Sequence, residues 1–280
     1  MKEPLTIALI YDFDGTLAPG NMQEYDFIPA VGKSNKEFWH DANQLAEEQD
    51  ADMVLTYMAR MIQEARSKGL SVRREAFQES GRRVTLYKGV REWFARINAY
   101  GAARGIRILH YINSSGLKEI IEGTEIAHEF RRIYACSFLY DIDGVAYWPA
   151  VAVNYTNKTQ FIFKINKGVE SVFDSKLVNQ YIEEDKRPVP FRRMIYVGDG
   201  TTDIPCMRLV KNSGGHSIAV YNPEIRNARR ELNGLIRDNR VSHVCPADYS
   251  EGSEMDTLVK TIIDKIEADH RLELLETPRT

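Results

Sequence analysis

The sequence predicts an α/β protein in which a parallel sheet is covered by helices on both faces and a helical domain is inserted after the first strand. Short apolar runs typical of buried strands alternate along the chain with longer helical patterns. Such alternation is typical of parallel sheets buried on both sides. Residues 18–88 depart from it, because they contain helical patterns and no convincing strand.

The first half of the chain begins with a buried strand at 5–11. Apolar residues at helical spacing then predict three helices: 36–49, 51–68 and 72–80. These helices make 18–88 a predicted helical insertion between the first strand and the rest of the chain. A helix at 89–102 returns the chain to the core, which comprises 1–17 and 89–280.

The second half supplies the remaining elements of the core. Four further apolar runs predict strands: 107–112, 133–139, 193–197 and 217–221. Helical patterns predict the segments between and after them: a helix from 117, one over 158–182, and two at the end, the second near 254–268. Asp143-Gly144 is a hairpin turn signal. It predicts a β-hairpin excursion at 140–156 within the core.

Composition limits the function and the compartment. The net charge is −3, which argues against a broad nucleic-acid footprint. No apolar run approaches the ~20 residues that span a bilayer, and the start lacks a signal-peptide pattern. The three cysteines have no ligand-like spacing, which predicts reduced thiols. We therefore expect a cytoplasmic protein with no membrane or nucleic-acid partner. The sequence leaves its oligomeric state open.

Polar residues cluster where the predicted strands end. Asp12 and Asp14 follow the first strand, Ser114 follows the second, and Asp199 and Asp203 follow the strand at 193–197. Ligand sites in open parallel sheets lie beyond the carboxyl ends of the strands. The sequence therefore predicts that these side chains meet in one acidic, oxygen-rich site.

Four short motifs in this order resemble those of the haloacid dehalogenase (HAD) superfamily, and most closely its phosphoserine-phosphatase-like members. The motifs are Asp12-Phe13-Asp14-Gly15-Thr16, Ser114, Lys167, and Gly198-Asp199-Gly200-Thr201-Thr202-Asp203. The resemblance implies a Rossmann-like core, and the helical block lies where many members carry a cap. It also implies a Mg²⁺-dependent phosphatase that acts on a small phosphorylated metabolite.

The resemblance and the chemistry of the residues assign the same roles. Asp12 would be the nucleophile that forms an aspartyl-phosphate, and Asp14 the general acid and base. Asp12, the backbone carbonyl of Asp14 and Asp199 would hold Mg²⁺, with Asp203 acting directly or through water. These four residues are the predicted metal site.

The phosphate would be held by Ser114, Ser115 and Gly116 together with Lys167, which would balance its negative charge. Ser114 is preferred to Ser115 because it lies nearer the strand end. Lys167 has two rivals in the same segment, Lys164 and Lys158, and neither is excluded.

A second Asp-x-Asp-Gly occurs at Asp141-Ile142-Asp143-Gly144. The interval from here to Asp199 is too short for the strands and crossovers that a catalytic motif would need. Aromatic residues on both sides favour a hairpin tip, although a role facing the substrate stays open.

The substrate is less well determined than the reaction. Phosphoserine-phosphatase-like members carry a Glu shortly after the first motif, where this chain has Asn21, with Glu24 nearby. Four cap arginines are candidate receptors for a substrate carboxylate or a second phosphate, although a solvated helix face is the simpler explanation for each: Arg60, Arg66, Arg73 and Arg74. Two alternatives to a phosphatase stay open, a phosphomutase of the same superfamily and a non-catalytic phospholigand-binding protein.

Overall fold

The computed structural model describes residues 4–276, which form a seven-stranded sheet in the order β4-β3-β2-β1-β5-β6-β7. The strands are β1 (Leu5–Tyr11), β2 (Ile106–Leu117), β3 (Arg132–Tyr140), β4 (Ala146–Val151), β5 (Met194–Gly198), β6 (His216–Tyr221) and β7 (His243–Pro246). Every neighbouring pair is parallel except β3 and β4. The predicted α/β fold class is confirmed.

Helices cover the sheet and form the insertion after β1. They are α1 (Phe27–Ala30), α2 (Asn35–Glu48), α3 (Met53–Ser67), α4 (Arg74–Gly81), α5 (Val90–Ala102), α6 (Lys118–Glu122), α7 (Lys158–Lys167), α8 (Ser175–Asn179), α9 (Ile204–Asn212), α10 (Ala228–Arg237) and α11 (Glu254–Glu276). One layer contains α5 and α11, which contact each other, and another contains α7 and α9. None of the helices in 4–276 is long and apolar enough to cross a membrane.

The central strand β1 determines which residues leave the carboxyl edge of the sheet together. All seven of its residues are buried, because parallel neighbours flank it and helices cover it. Tyr11 pairs in register with Val197 of β5, and the Asp12 amide donates to the Val197 carbonyl at 2.9 Å. The residues that follow β1 and β5 therefore leave the sheet side by side.

The insertion contains the helices predicted for the cap, with their ends shifted by one or two residues. Ser34 begins α2 with a capping box to Glu37, and the Asp52 carboxylate caps α3. The proposed division into a cap at 18–88 and a core at 1–17 and 89–280 stays a prediction. Its outermost residues, 1–3 and 277–280, lie outside the described residues.

Three sequence predictions in the core are wrong. The strand expected at 107–112 continues to Leu117 through a register shift, so Ser114 lies within β2 and not after it. The helix expected over 158–182 ends at Lys167, because Gly168 adopts φ 68° and closes it, and only the short α8 follows. Strand β7 was not predicted, since four residues carry too little periodicity.

The hairpin expected at 140–156 is formed by β3 and β4, which pair antiparallel at the edge of the sheet. Asp141 Oδ1 accepts hydrogen bonds from the amides of Asp143 and Val145, so the second Asp-x-Asp-Gly builds the turn between the strands. The turn also contacts the insertion, because the Arg74 amide donates to the Gly144 carbonyl at 3.3 Å.

His110 is buried in β2 between Tyr11 and Asn98. Its Nδ1 lies 3.1 Å from the Tyr11 hydroxyl and its Nε2 lies 3.0 Å from Asn98 Oδ1. Burial lowers the pKa of His110 from 6.5 to about 3. Between these values the unfolded chain binds a proton that the folded protein does not, so acidification destabilises the fold.

We therefore predict that His110→Gln makes the free energy of unfolding less sensitive to acid. In the parent protein, His110 should lower the free energy of unfolding by about 1.4 kcal/mol for each pH unit below the pKa of the histidine in the unfolded chain. Urea denaturation between pH 7 and pH 5 measures this slope. The exposed His128 offers a matched control, since His128→Gln should leave the slope unchanged. Equal slopes for His110→Gln and the parent would contradict the prediction.

Candidate active site

Three carboxylates meet at the carboxyl edge of the sheet. Oxygen atoms of Asp12, Asp199 and Asp203 all lie within 4.8 Å of one another. Asp12 follows β1, Asp199 follows β5, and Asp203 lies at the end of a short 3₁₀ turn before α9. The expectation that strand-end carboxylates converge is thus met by the positions of these three side chains.

Two glycines make this close approach feasible. Gly15 has φ 72°, and a Cβ there would lie 2.0 Å from Asp199 Oδ2. A Cβ at Gly198 would lie 2.5 Å from the carboxylate carbon of Asp203. The glycines of both aspartate motifs therefore create the space that the carboxylates occupy.

Lys158 is the buried cation of this cluster. Its Nζ lies 2.6 Å from Asp203 Oδ1 and 3.3 Å from Asp12 Oδ2, and the side chains of Lys158 and Asp203 are both fully buried. The Tyr196 hydroxyl donates to the same Asp203 oxygen at 2.7 Å, and the Gly200 amide donates to Oδ2. Asp203 therefore orients Lys158 while Lys158 bridges to Asp12.

The prediction that Lys167 lies at the site is wrong. Its Nζ donates to the carbonyls of Val178 and Gln180, where it holds the segment after α7. Lys158 and Lys167 stand at opposite ends of α7, about 14 Å apart along the axis. Lys164 also lies away from the site and donates to the carbonyls of Ser171 and Asp174.

The electrostatics of the cluster favour a bound cation. Burial raises the pKa of Asp12 to about 7, with repulsion from Asp203 adding to the rise and Lys158 opposing it. Burial also raises the pKa of Asp199 well above its usual range, with repulsion from Asp12 contributing. Burial lowers the pKa of Lys158, but Asp12 and Asp203 outweigh it and raise the pKa. When all three are ionised, the carboxylates carry more negative charge than Lys158 neutralises, so a bound cation would stabilise their ionised form.

A divalent cation with oxygen ligands fits this donor set. Asp12, Asp199 and Asp203 each present a carboxylate oxygen to the same space. Asp203 is the most heavily bonded of them, because its oxygens accept from Lys158, the Tyr196 hydroxyl and the Gly200 amide. Hard cations such as Mg²⁺ and Ca²⁺ prefer such ligands. Asp12 and Asp199 would hold such a cation, with Asp203 acting through Lys158.

Asp14 lies in the same cavity but outside the three-carboxylate cluster. Its Oδ1 accepts a hydrogen bond from the Met22 amide at 2.8 Å. Burial raises the pKa of Asp14 well above its usual range, and the Asp12 charge adds to the rise. This side chain is therefore suited to carry a proton, while its predicted contribution to the metal through the backbone carbonyl stays a prediction.

The segment predicted to hold phosphate lines the cavity as Ser114, Ser115 and Gly116. The Ser114 hydroxyl accepts from the Gly116 amide at 3.0 Å and helps to lower the Asp12 pKa. The Ser115 hydroxyl is buried and has no partner among the described residues. An unpaired buried hydroxyl is costly, so Ser115 is as good a candidate as Ser114 for contacting a phosphoryl oxygen.

The insertion closes the cavity from above. The Tyr57 hydroxyl donates to the Ser115 carbonyl at 2.7 Å, and Asn154 Nδ2 donates to Asp52 Oδ2. The cavity is partly open to solvent, measures about 560 Å³, and includes Trp39 and Met53 on the side of the insertion. This volume suits a small molecule of metabolite size.

Some site residues could not be found from their local sequence. Tyr57 lies on the buried face of α3, and Tyr196 is an ordinary residue of a buried strand. Lys158 carries no local signal either. The strand before α7, β4, runs antiparallel to β3, so the order of elements does not say at which edge of the sheet α7 begins.

The family of the chain follows from its sequence as a whole. A family model described as haloacid dehalogenase-like hydrolase matches residues 9–208. The chain therefore belongs to the haloacid dehalogenase-like hydrolases, as the four motifs predicted. An uncharacterised protein of Borreliella burgdorferi is 29% identical over 296 residues, which cover 93% of this chain and 96% of the relative.

Solved structures share the fold at low sequence identity. A HAD family hydrolase from Salmonella enterica serovar Typhi superimposes with a TM-score of 0.60 at 16% identity, covering 94% of this chain and 74% of the other. A phosphoserine phosphatase solved as a phospho-aspartyl intermediate analogue gives a TM-score of 0.53 at 15% identity, covering 92% and 99%. The fold is thus that of phosphoserine-phosphatase-like members, as predicted.

We predict that Lys158→Met destabilises the protein much more than Lys167→Met does. Removing Lys158 leaves buried carboxylates without their counter-charge, which should cost about 3 kcal/mol or more of unfolding free energy. Lys167→Met removes hydrogen bonds to two carbonyls and should cost about 1–2 kcal/mol. Urea denaturation of both variants decides the order, and a greater loss for Lys167→Met would refute the assignment.

Proposed function

We propose that the protein is a Mg²⁺-dependent phosphatase that hydrolyses a small phosphomonoester through an aspartyl-phosphate on Asp12. The observation that carries the proposal is the position of Asp12 between Lys158 and Asp199, with Asp14 in the same cavity. This arrangement supplies a nucleophile, its counter-charge, a cation site and a proton carrier. One solved relative in fold was itself captured as a phospho-aspartyl intermediate analogue.

The first half-reaction transfers the phosphoryl group to the protein. A carboxylate oxygen of Asp12 attacks phosphorus and the bond from phosphorus to the ester oxygen breaks. Asp14, whose raised pKa keeps its proton, gives that proton to the departing oxygen, and the alcohol leaves. Lys158 stabilises the charge on Asp12 throughout. The Mg²⁺ would neutralise the negative charge of the phosphoryl group when bound.

The second half-reaction returns the protein to its starting state. Asp14 is now a carboxylate and removes a proton from a water molecule. The water oxygen attacks phosphorus, the bond from phosphorus to Asp12 breaks, and inorganic phosphate leaves. Asp12 and Asp14 regain their original protonation states. Covalent catalysis helps because it replaces one difficult displacement at phosphorus with two easier ones.

The proposal also includes the class of substrate and the cellular compartment. Its substrate would be a small phosphorylated metabolite, since the cavity measures about 560 Å³. The three cysteines, Cys136, Cys206 and Cys245, are all buried and free, which supports work in the reducing cytoplasm.

Asp12→Asn should abolish Mg²⁺-dependent release of phosphate from p-nitrophenyl phosphate. An amide cannot act as the nucleophile, so we expect a loss on the order of 10³-fold or more in kcat/KM. Phosphate release is measured with saturating Mg²⁺, and the parent enzyme with EDTA should be as inactive as the variant. Asp141→Asn, in the second Asp-x-Asp-Gly, should retain full activity because its Oδ1 still accepts the turn hydrogen bonds. Equal activity of Asp12→Asn and the parent would refute the mechanism.

The loss of activity in Asp14→Asn should depend on the leaving group of the substrate. An alkyl phosphate needs a proton on its leaving oxygen, so its turnover should fall by about 10²–10⁴-fold. An aryl phosphate leaves as a stabilised phenolate and should be affected much less. The ratio of kcat/KM values for the two esters tests the assignment, because kcat/KM covers the steps up to departure of the alcohol and leaves out the later attack of water. A loss of the same size on both would contradict the role of Asp14 as general acid.

The two alternatives give different products. A phosphomutase would return an isomerised phosphoester and little free phosphate, and a binding protein would release neither. Quantifying phosphate and ester together after incubation with a panel of phosphomonoesters separates all three functions.

A further inference from the structure

The cavity above the aspartates has an apolar and aromatic wall. Trp39, Met53 and Tyr57 belong to the insertion, and Tyr155, Ile225 and Leu232 lie outside it. Met53, Tyr155 and Ile225 are 48%, 47% and 58% exposed although they are apolar or aromatic. Exposed residues of this kind that line one cavity mark a binding surface.

This wall carries no positive charge. No Lys, Arg or His is found among the described residues that line the cavity, whereas Asp12, Asp14, Asp199 and Glu231 do line it. Lys158 is fully buried beneath these residues and is already bonded to Asp203 and Asp12. An anionic group on the leaving alcohol would therefore meet carboxylates and no counter-ion.

The arginines that the sequence offered as anion receptors are bound elsewhere. All four lie in the insertion, and their partners account for their guanidinium groups. They contact Asp41 and Glu64 (Arg60), the Ala146 carbonyl (Arg66), the Asp143 carbonyl (Arg73), and Glu119 with the Tyr140 ring (Arg74). None of them reaches the cavity wall, so they hold the insertion together and attach it to the β3–β4 hairpin.

The cavity wall offers hydrogen-bond acceptors to a ligand, and no arginine. Gln23 is buried in the cavity wall, and its Oε1 has no partner among the described residues. Glu24 stands behind the wall and accepts from Asn21 Nδ2 at 2.7 Å and from Trp39 Nε1 at 2.8 Å. This pair of bonds fixes the Trp39 ring at the edge of the cavity. A hydroxyl or ammonium donor on the ligand would satisfy Gln23.

We propose that the substrate is the phosphomonoester of an alcohol that bears a hydrogen-bond donor and no anionic group. This inference rests on the proposed phosphatase function and narrows its substrate class. Burying a carboxylate without a partner beside other carboxylates is strongly unfavourable. An uncharged or cationic alcohol avoids that penalty, and an ammonium group gains from the aromatic rings as well.

O-Phosphoethanolamine and O-phospho-L-serine test this inference, because they share the amine and the phosphate and differ by one carboxylate. We expect kcat/KM to be at least about 100-fold higher for phosphoethanolamine. Inhibition of p-nitrophenyl phosphate hydrolysis by each ester gives a second readout that does not require turnover, and the order should be the same. Equal values, or a preference for phosphoserine, would overturn the inference. Hydrolysis of p-nitrophenyl phosphate distinguishes this outcome from failure of the proposed phosphatase, which would release no phosphate from any ester.

A positive charge introduced into the cavity wall tests the same inference in the opposite direction. Asn43 lines the cavity, whereas the neighbouring Gln44 faces solvent and donates to Glu48. Asn43→Arg should shift the preference toward phosphoserine by about 10-fold, and Gln44→Arg, with the same change in charge, should leave the ratio unchanged. Equal shifts in both variants, or none in Asn43→Arg, would show that the wall does not select against the carboxylate.

Discussion

The buried ion pair between Lys158 and Asp203 is the interaction on which the site depends. Asp12 and Asp199 belong to adjacent parallel strands, so the sheet forces their carboxylates together whether or not their charges are balanced. Lys158 supplies part of the balance from the first turn of α7, and Asp203 holds it there with help from Tyr196. Burial raises the pKa values of Asp12 and Asp14, and repulsion between the carboxylates adds to the rise. The negative charge that Lys158 does not compensate favours a bound cation.

The insertion adds neutral and aromatic side chains to the cavity beside these carboxylates. Tyr57 bonds to the backbone beside Ser115, and Asp52 accepts from Asn154, so the roof of the cavity is attached directly to the elements that carry the phosphate site. The insertion also rests on the β3–β4 hairpin through Arg66 and the backbone at Arg74. Arg66, Arg73 and Arg74 contact this hairpin, and Arg60 pairs with carboxylates inside the insertion. None of these four arginines lines the cavity.

The two Asp-x-Asp-Gly segments show what local sequence can and cannot predict. Both place a carboxylate two residues before another and a glycine after it, yet one follows a central strand and the other forms a hairpin tip. The order of strands and helices was sufficient to separate them, because a parallel crossover needs a minimum length of chain. The same periodicity predicted most helices and strands. It failed for β7 and for the segment after Gly168, where the elements are too short to carry a period.

The sequence by itself determined the family, the parallel sheet and the aspartates, since these depend on apolar periodicity and on motifs that are continuous in the chain. Only the tertiary structure decided which lysine serves the site. Spacing along the chain does not say that α7 begins at the carboxyl edge of the sheet and ends at the other, so Lys158 and Lys167 look equivalent until the helix is placed. The tertiary structure also decided which partners the arginines of the insertion bind, because a guanidinium group binds the nearest acceptor in space, whatever its position in sequence.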